Sequence, residues 1–115
     1  MSREEAVIDL LKSYSKYKIF LHSQEFAKKY FDKFGTHKLI KKDEYEEKMH
    51  VIESLIELLA PSDEYTLLHL HYIEGVTVEK SAECMCVSER TAYRILKKAH
   101  KAICDMVSEH ERSRQ

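Results

Sequence analysis

The composition of this 115-residue chain excludes several classes of protein before any motif is considered. Its net charge of −1 gives no overall preference for nucleic acid, and no apolar run approaches the roughly 18 residues of a membrane-spanning helix. Only two glycines and one proline accompany abundant Lys, Glu, Leu and Ile, which is typical of an almost wholly helical protein. We therefore expect an all-α fold in a cytoplasmic protein whose three cysteines are reduced.

Long helices are predicted in residues 1–59. Apolar residues recur every three or four positions up to Gly35, which predicts one helix of about 30 residues or two joined helices. A turn is predicted over residues 35–38, and a second amphipathic helix runs from a cap at Asp43 to the residues before Pro61. Apolar sides on such long helices need a returning helix or a second subunit, so we expect this N-terminal region to dimerise or bind a partner.

Three shorter helices are predicted in residues 60–108. The first begins after Ser62 and ends at Gly75, Thr77 caps the second, and Ser88 caps the third. The third helix has the most regular apolar spacing in the chain, and its predicted inner face consists of Ala92, Ile95, Leu96, Ala99, Ala102, Ile103 and Met106. This spacing therefore predicts a single amphipathic helix.

The last two of these helices have the pattern of a helix-turn-helix. Such a motif needs a small residue where its helices approach, a bend residue four positions later, and apolar residues inside the second helix. Ala82 and Cys86 occupy the first two positions, and Ala92 begins the inner face. Glycine is most common at the bend because it favours a left-handed backbone, so Cys86 is a departure. A polar tail, residues 109–115, follows and is expected to be frayed.

Positive charge concentrates on the second helix of this motif, where residues 86–104 hold five Lys or Arg residues against one Glu. The first turns of a recognition helix meet base edges, which arginine and glutamate can read, and lysines farther along contact phosphates. The predicted DNA-binding residues are Ser88, Glu89, Arg90, Thr91, Tyr93, Arg94, Lys97, Lys98 and Lys101. A plain surface position for Tyr93, and a solvated face for the lysines, are the alternatives.

A longer pattern of residues extends over 58–103. Its elements are Leu59, Pro61, the helix Leu67–Gly75, Ala82, Glu83, Val87, Ser88, Thr91 and a closing helix rich in Lys and Arg. In this order they resemble region 4, the C-terminal promoter-binding domain of primary-type bacterial sigma factors. Size and layout are similar to small phage-encoded regulators of the ArpU and RinA type. Ser81 stands where that family usually has a large aliphatic residue, and Cys86 replaces its glycine.

The resemblance implies a transcription regulator, encoded by a phage or mobile element, that binds double-stranded DNA. Because single helix-turn-helix units bind weakly, we expect a homodimer formed through the N-terminal helices, with RNA polymerase as a possible further partner. Mild acidity and Glu89 at the start of the recognition helix favour an alternative, a protein-binding module that targets RNA polymerase or another host factor. A structural or packaging component is a third hypothesis.

Catalytic and metal chemistry have little support in the sequence. It contains no recognisable Gly-rich phosphate loop, nucleophile elbow or paired acid–base carboxylates, so we do not expect an enzyme or a cofactor. Cys84 and Cys86 lack a second pair of ligands at a suitable spacing for zinc. They are therefore interpreted as buried or half-buried structural thiols, with no metal site.

Overall fold

A computed structural model of the chain describes residues 2–31 and 42–113. Within these ranges the predicted all-α fold is confirmed, with five α-helices, one π-helical turn and no strand. In chain order the helices are α1 (Arg3–Phe31), α2 (Lys42–Glu57), α3 (Asp63–Leu68), which continues as the π-helical turn (His69–Ile73), α4 (Val78–Met85) and α5 (Glu89–Ser113).

The N-terminal region contains the predicted long helices. α1 is one uninterrupted helix as far as Phe31, while the expected end at Gly35 and the turn over 35–38 lie outside the described residues. α2 is already helical at Lys42, one residue before the predicted cap at Asp43. The two helices pack together through their aromatic side chains as well as through the core.

The caps predicted at Thr77 and Ser88 are observed, and Ser62, which precedes the predicted acidic helix start, caps α3 in the same way. In each case a serine or threonine hydroxyl accepts a bond from an amide three residues on, which satisfies one of the free donors at a helix start. The bonds are Tyr65 N to Ser62 Oγ, Lys80 N to Thr77 Oγ1 and Thr91 N to Ser88 Oγ, each 3.1 Å. Gly75, with a φ of +74°, follows the π-helical turn, as the sequence predicted for the end of that helix.

One hydrophobic core joins the N-terminal helices to the C-terminal ones. Its buried members are Val7, Leu11 and Tyr14 of α1, Ile52 and Ile56 of α2, Leu68 of α3, Tyr72 of the π-helical turn, and Ala99 and Ile103 of α5. Steps of three and four residues place these members on one face of each helix. Residues of the predicted regions 1–59 and 60–108 therefore share a single core.

Polar contacts reinforce the packing of α1 on its neighbours. Tyr14 donates a hydrogen bond to Glu53 of α2 at 2.5 Å, and burial together with this carboxylate raises the pKa of Tyr14 to about 12. Arg3 lies 3.0 Å from a carboxylate oxygen of Glu111 and donates to Ser108 Oγ at 2.8 Å. These contacts attach the first turn of α1 to the end of α5.

The last helix is longer than the sequence predicted. α5 continues to Ser113, so the start of the expected polar tail, 109–113, is helical rather than frayed. The contacts of Arg3 give a reason, because they hold this part of the helix against α1. None of the described helices combines the length and the apolar character needed to cross a bilayer.

Candidate nucleic-acid interface

A tight turn at Cys86 sets the position of α5 relative to α4. Cys86 has φ 59° and ψ 40°, the left-handed conformation expected at the predicted bend. The amides of Cys86 and Val87 bond to the carbonyls of Glu83 and Ala82 at 3.1 and 3.0 Å, the pair of bonds that defines a Schellman motif. Val87 also packs with Ala82 and Ala92 in a small second core. The turn is thus closed by both hydrogen bonds and apolar contact.

The expectation of buried or half-buried thiols at this turn was wrong. Cys84 and Cys86 are both exposed, because the buried face of α4 is formed by Val78, Ser81 and Ala82. Ser81 is completely buried, and its hydroxyl has no hydrogen-bond partner within the described ranges. Among the residues that the structure describes, no three His, Cys, Asp or Glu side chains are grouped so that they could hold a metal ion.

The first turns of α5 expose most of the side chains that were predicted to contact bases: Glu89, Arg90, Tyr93 and Arg94. Ser88 and Thr91 are arranged differently. Ser88 Oγ accepts from the amide of Thr91 and donates to Thr91 Oγ1 at 2.9 Å, and Thr91 is half-buried. The two hydroxyl groups are therefore already bonded within the cap.

Tyr93 joins the outer surfaces of the two helices. Its hydroxyl donates to Glu79 of α4 at 2.5 Å, while 49% of the residue remains exposed. This hydrogen bond lowers the pKa of the Glu79 carboxyl and raises the pKa of the Tyr93 hydroxyl. Sequence reasoning missed Glu79 because 14 residues separate it from Tyr93 and only the angle between the helices brings them together.

Farther along α5, basic side chains form a groove with the first turn of α1. This basic groove has a volume of about 350 Å³ and is lined by Arg94, Lys97, Lys98 and Lys101 of α5 and Glu4 of α1. Arg90 lies one turn before Arg94 on the same helix face. Within residues 2–31 and 42–113, none of these five cations forms an ion pair. Four of the predicted DNA-binding residues are therefore brought together with their charges uncompensated by direct contact.

A buried polar pair lies between the π-helical turn and α5. Tyr72 Oη and His100 Nε2 are 2.6 Å apart, and both residues are buried. Burial lowers the pKa of His100, against the opposing charge of Glu4, and raises the pKa of Tyr72 to about 12. Sequence reasoning missed this pair, because 28 residues separate its members.

The fold and this surface define an all-helical protein in which a tight turn presents a helix with a row of cations, none of them ion-paired in the described part of the chain. Residues 26–104, more than half of the chain, match the model of a family described as protein of unknown function (DUF1492), and the chain belongs to that family. No curated protein and no solved structure matches it. The matched segment contains the Cys86 turn and all nine predicted DNA-binding residues, whereas Glu4 precedes it.

Proposed function

We propose that the protein is a transcription regulator that binds double-stranded DNA, with α4 and α5 as a sigma region 4-like helix-turn-helix. The observation that supports this most is the row of cations on α5, which are unpaired among the described residues. Arg90, Arg94, Lys97 and Lys101 follow one another at steps of four, three and four, so they share one helix face over about 16 Å. Such a row suits a helix that reads bases with its first turns and contacts phosphates with later ones.

The predicted contacts divide into two groups. Arg90 and Arg94 read base edges, and Lys97, Lys98 and Lys101 bind phosphates and add affinity for any sequence. Exposed Glu89 and the exposed ring of Tyr93 lie beside the arginines, where they can contact bases or sugars. The hydroxyls of Ser88 and Thr91 bond to each other, so their contribution is to hold the first turn of α5 in place.

Selection of bound fragments from random double-stranded DNA at physiological salt tests this function. We expect a defined recovered motif, and we expect Arg90→Ala combined with Arg94→Ala to abolish specific binding, since each arginine–guanine contact is worth about 1–3 kcal/mol. Lys97→Ala should weaken binding to all sequences and reduce the slope of log affinity against log salt by about 0.9. Lys18→Ala, which removes the same charge from an exposed position on α1, is the control. Normal binding by the double arginine variant would refute the assignment.

We further propose that the protein acts as a homodimer through its N-terminal helices. Three large apolar residues of this region are unusually exposed: Ile19 by 67%, Val51 by 47% and Leu58 by 66%. A dimer would cover them and present two recognition helices to half-sites about one helical turn apart. Light scattering should give twice the mass of the chain, and Val51→Lys with Leu58→Lys should reduce it. A monomer at every concentration tested would exclude this dimer.

The alternative is a protein-binding module with RNA polymerase or another host factor as its partner. Glu89 at the start of α5 and Glu4 in the basic groove favour it, because both carboxylates repel phosphate. Salt discriminates between the two functions, since DNA binding through several cations weakens steeply as salt rises. A selection without a recovered motif, together with salt-resistant retention of RNA polymerase, would favour the protein-binding function.

A further inference from the structure

The basic groove contains one acidic residue among the five that line it. Glu4 lies in the first turn of α1, ninety residues from the nearest cation of the groove along the chain. Four cations and one carboxylate give the lining a net charge of +3. An anion that enters the groove therefore meets attraction from α5 and repulsion from α1 at the same place.

The position of Glu4 is fixed by its neighbours. Arg3, directly before it, bonds to Glu111 and Ser108 of α5 at 3.0 and 2.8 Å. Val7, one turn later on α1, is buried in the core that also contains Ala99 and Ile103. The backbone of α1 is thus attached to α5 on both sides of Glu4, and its carboxylate belongs to the groove rather than to a free chain end.

Glu4 does not neutralise the cations by direct contact. In the described parts of the chain it forms no ion pair, although its charge is felt by His100 on α5. Glu4 and the four cations line one groove of about 350 Å³, and charges closer than a Debye length, roughly 8 Å at physiological salt, are only partly screened from each other. An anion bound by the lysines would consequently be repelled by the Glu4 carboxylate.

We propose that Glu4 limits the affinity of the basic groove for the phosphates of DNA. This inference rests on the proposed DNA-binding function and adds a residue that acts against binding. Complexes held by phosphate contacts alone are weakened by Glu4 and dissociate at a lower salt concentration. Complexes that also have base contacts from Arg90 and Arg94 survive under the same conditions. Glu4 thereby sets the salt concentration above which only specific complexes persist.

The test compares Glu4→Gln with Glu5→Gln in the full chain. Both substitutions remove one negative charge from the first turn of α1, but Glu5 is not part of the lining of the groove. Affinity for a duplex of random sequence is measured by fluorescence anisotropy over a series of salt concentrations. We expect Glu4→Gln to tighten binding about three- to tenfold at low salt, with less gain at high salt, and Glu5→Gln to change it less than about twofold.

Different results of this experiment would overturn the role of Glu4 alone or DNA binding as well. Equal effects of the two substitutions, or weaker binding by Glu4→Gln with an unchanged melting temperature, would overturn the role of Glu4 and leave DNA binding intact. A wild-type chain that is folded by circular dichroism and binds no duplex at any salt would overturn both. A double-mutant cycle with Lys98→Ala adds a positive criterion, because removal of the lysine should reduce the gain from Glu4→Gln.

Discussion

The buried hydroxyl of Ser81 is unfavourable for the stability of the fold. Ser81 lies on the inner face of α4 with Val78 and Ala82 and is completely buried, and within residues 2–31 and 42–113 its hydroxyl has no hydrogen-bond partner. A buried donor that is left unsatisfied costs about 1–3 kcal/mol. We therefore expect Ser81→Ala, which removes the hydroxyl and leaves almost no cavity, to raise the free energy of unfolding by about 1 kcal/mol or more.

Urea unfolding followed by circular dichroism measures this change, and Ser54→Ala is the matched control. Ser54 is exposed on α2, so its replacement adds only the higher helix propensity of alanine, about 0.5 kcal/mol. A gain for Ser81→Ala that is no larger than the gain for Ser54→Ala would show that the buried hydroxyl finds a partner in solution. A lower free energy of unfolding for Ser81→Ala than for the wild-type chain would be still stronger evidence of such a partner.

His100 gives the fold a dependence on pH. Burial lowers its pKa below the ordinary value of about 6.5, so between the two values the unfolded chain binds a proton that the folded chain does not. The free energy of unfolding must then fall as the pH drops below about 6.5, and it levels off once the pH is below the folded pKa. At neutral pH the buried neutral ring and its bond to Tyr72 are fully present.

Unfolding curves collected from about pH 7.5 to pH 5 test this dependence. His100→Gln should show a smaller loss of stability over this range than the wild-type chain, whatever its stability at neutral pH. His50→Gln, at an exposed position on α2, should keep the wild-type slope. If His100→Gln and His50→Gln have the same slope, the buried ring does not control the acid sensitivity.

Features of the helices that depend on neighbouring residues, such as caps and bends, were predictable from the sequence. The caps at Thr77 and Ser88 and the bend at Cys86 depend on residues within one turn, and all three were predicted correctly. The π-helical turn was missed because its residues have an ordinary helical pattern. The contacts that complete the site were missed for another reason: Glu79 with Tyr93 and Glu4 with the cations of α5 meet only after the helices pack.

The turn between α4 and α5 can be tested with its two exposed cysteines. Cys86 has a left-handed backbone, which costs a residue with a side chain about 1–2 kcal/mol. Glycine avoids this cost, but its greater freedom in the unfolded chain offsets part of the gain. Cys86→Gly should therefore raise the free energy of unfolding by about 0.5–1 kcal/mol. Cys84→Gly, inside α4, should lower it by a few tenths of a kcal/mol because glycine is a poorer helix former than cysteine.

The two substitutions should change the free energy of unfolding in opposite directions, although they lie only two residues apart. Thermal unfolding under reducing conditions measures both changes. If Cys86→Gly also destabilises the chain, the residue at the bend is not left-handed in solution. In that case α5 would not be oriented by a Schellman turn. The placement of Arg90 and Arg94 relative to α4 would then need revision.

The shared core makes the position of α5 depend on the N-terminal region. Ala99 and Ile103 of α5 are buried in the same cluster as Val7 and Leu11 of α1, while α4 and the first turns of α5 have only a small core of their own. A small cluster around two alanines cannot bury enough apolar surface for independent stability. The cations of the groove therefore keep their spacing only while α1 is in place.

Leu11→Ala tests this dependence far from the groove. Leu11 is completely buried, so the substitution should cost about 2–5 kcal/mol, whereas Lys18→Ala at an exposed position on the same helix should cost less than about 0.5 kcal/mol. Hydrogen exchange measured by mass spectrometry provides the decisive comparison. If the molecule is one cooperative unit, Leu11→Ala accelerates exchange in the most protected amides of α2 and α5 by the same factor. Faster exchange confined to α1 and α2 would instead show that residues 60–108 fold separately, and α5 would then be independent of the N-terminal helices.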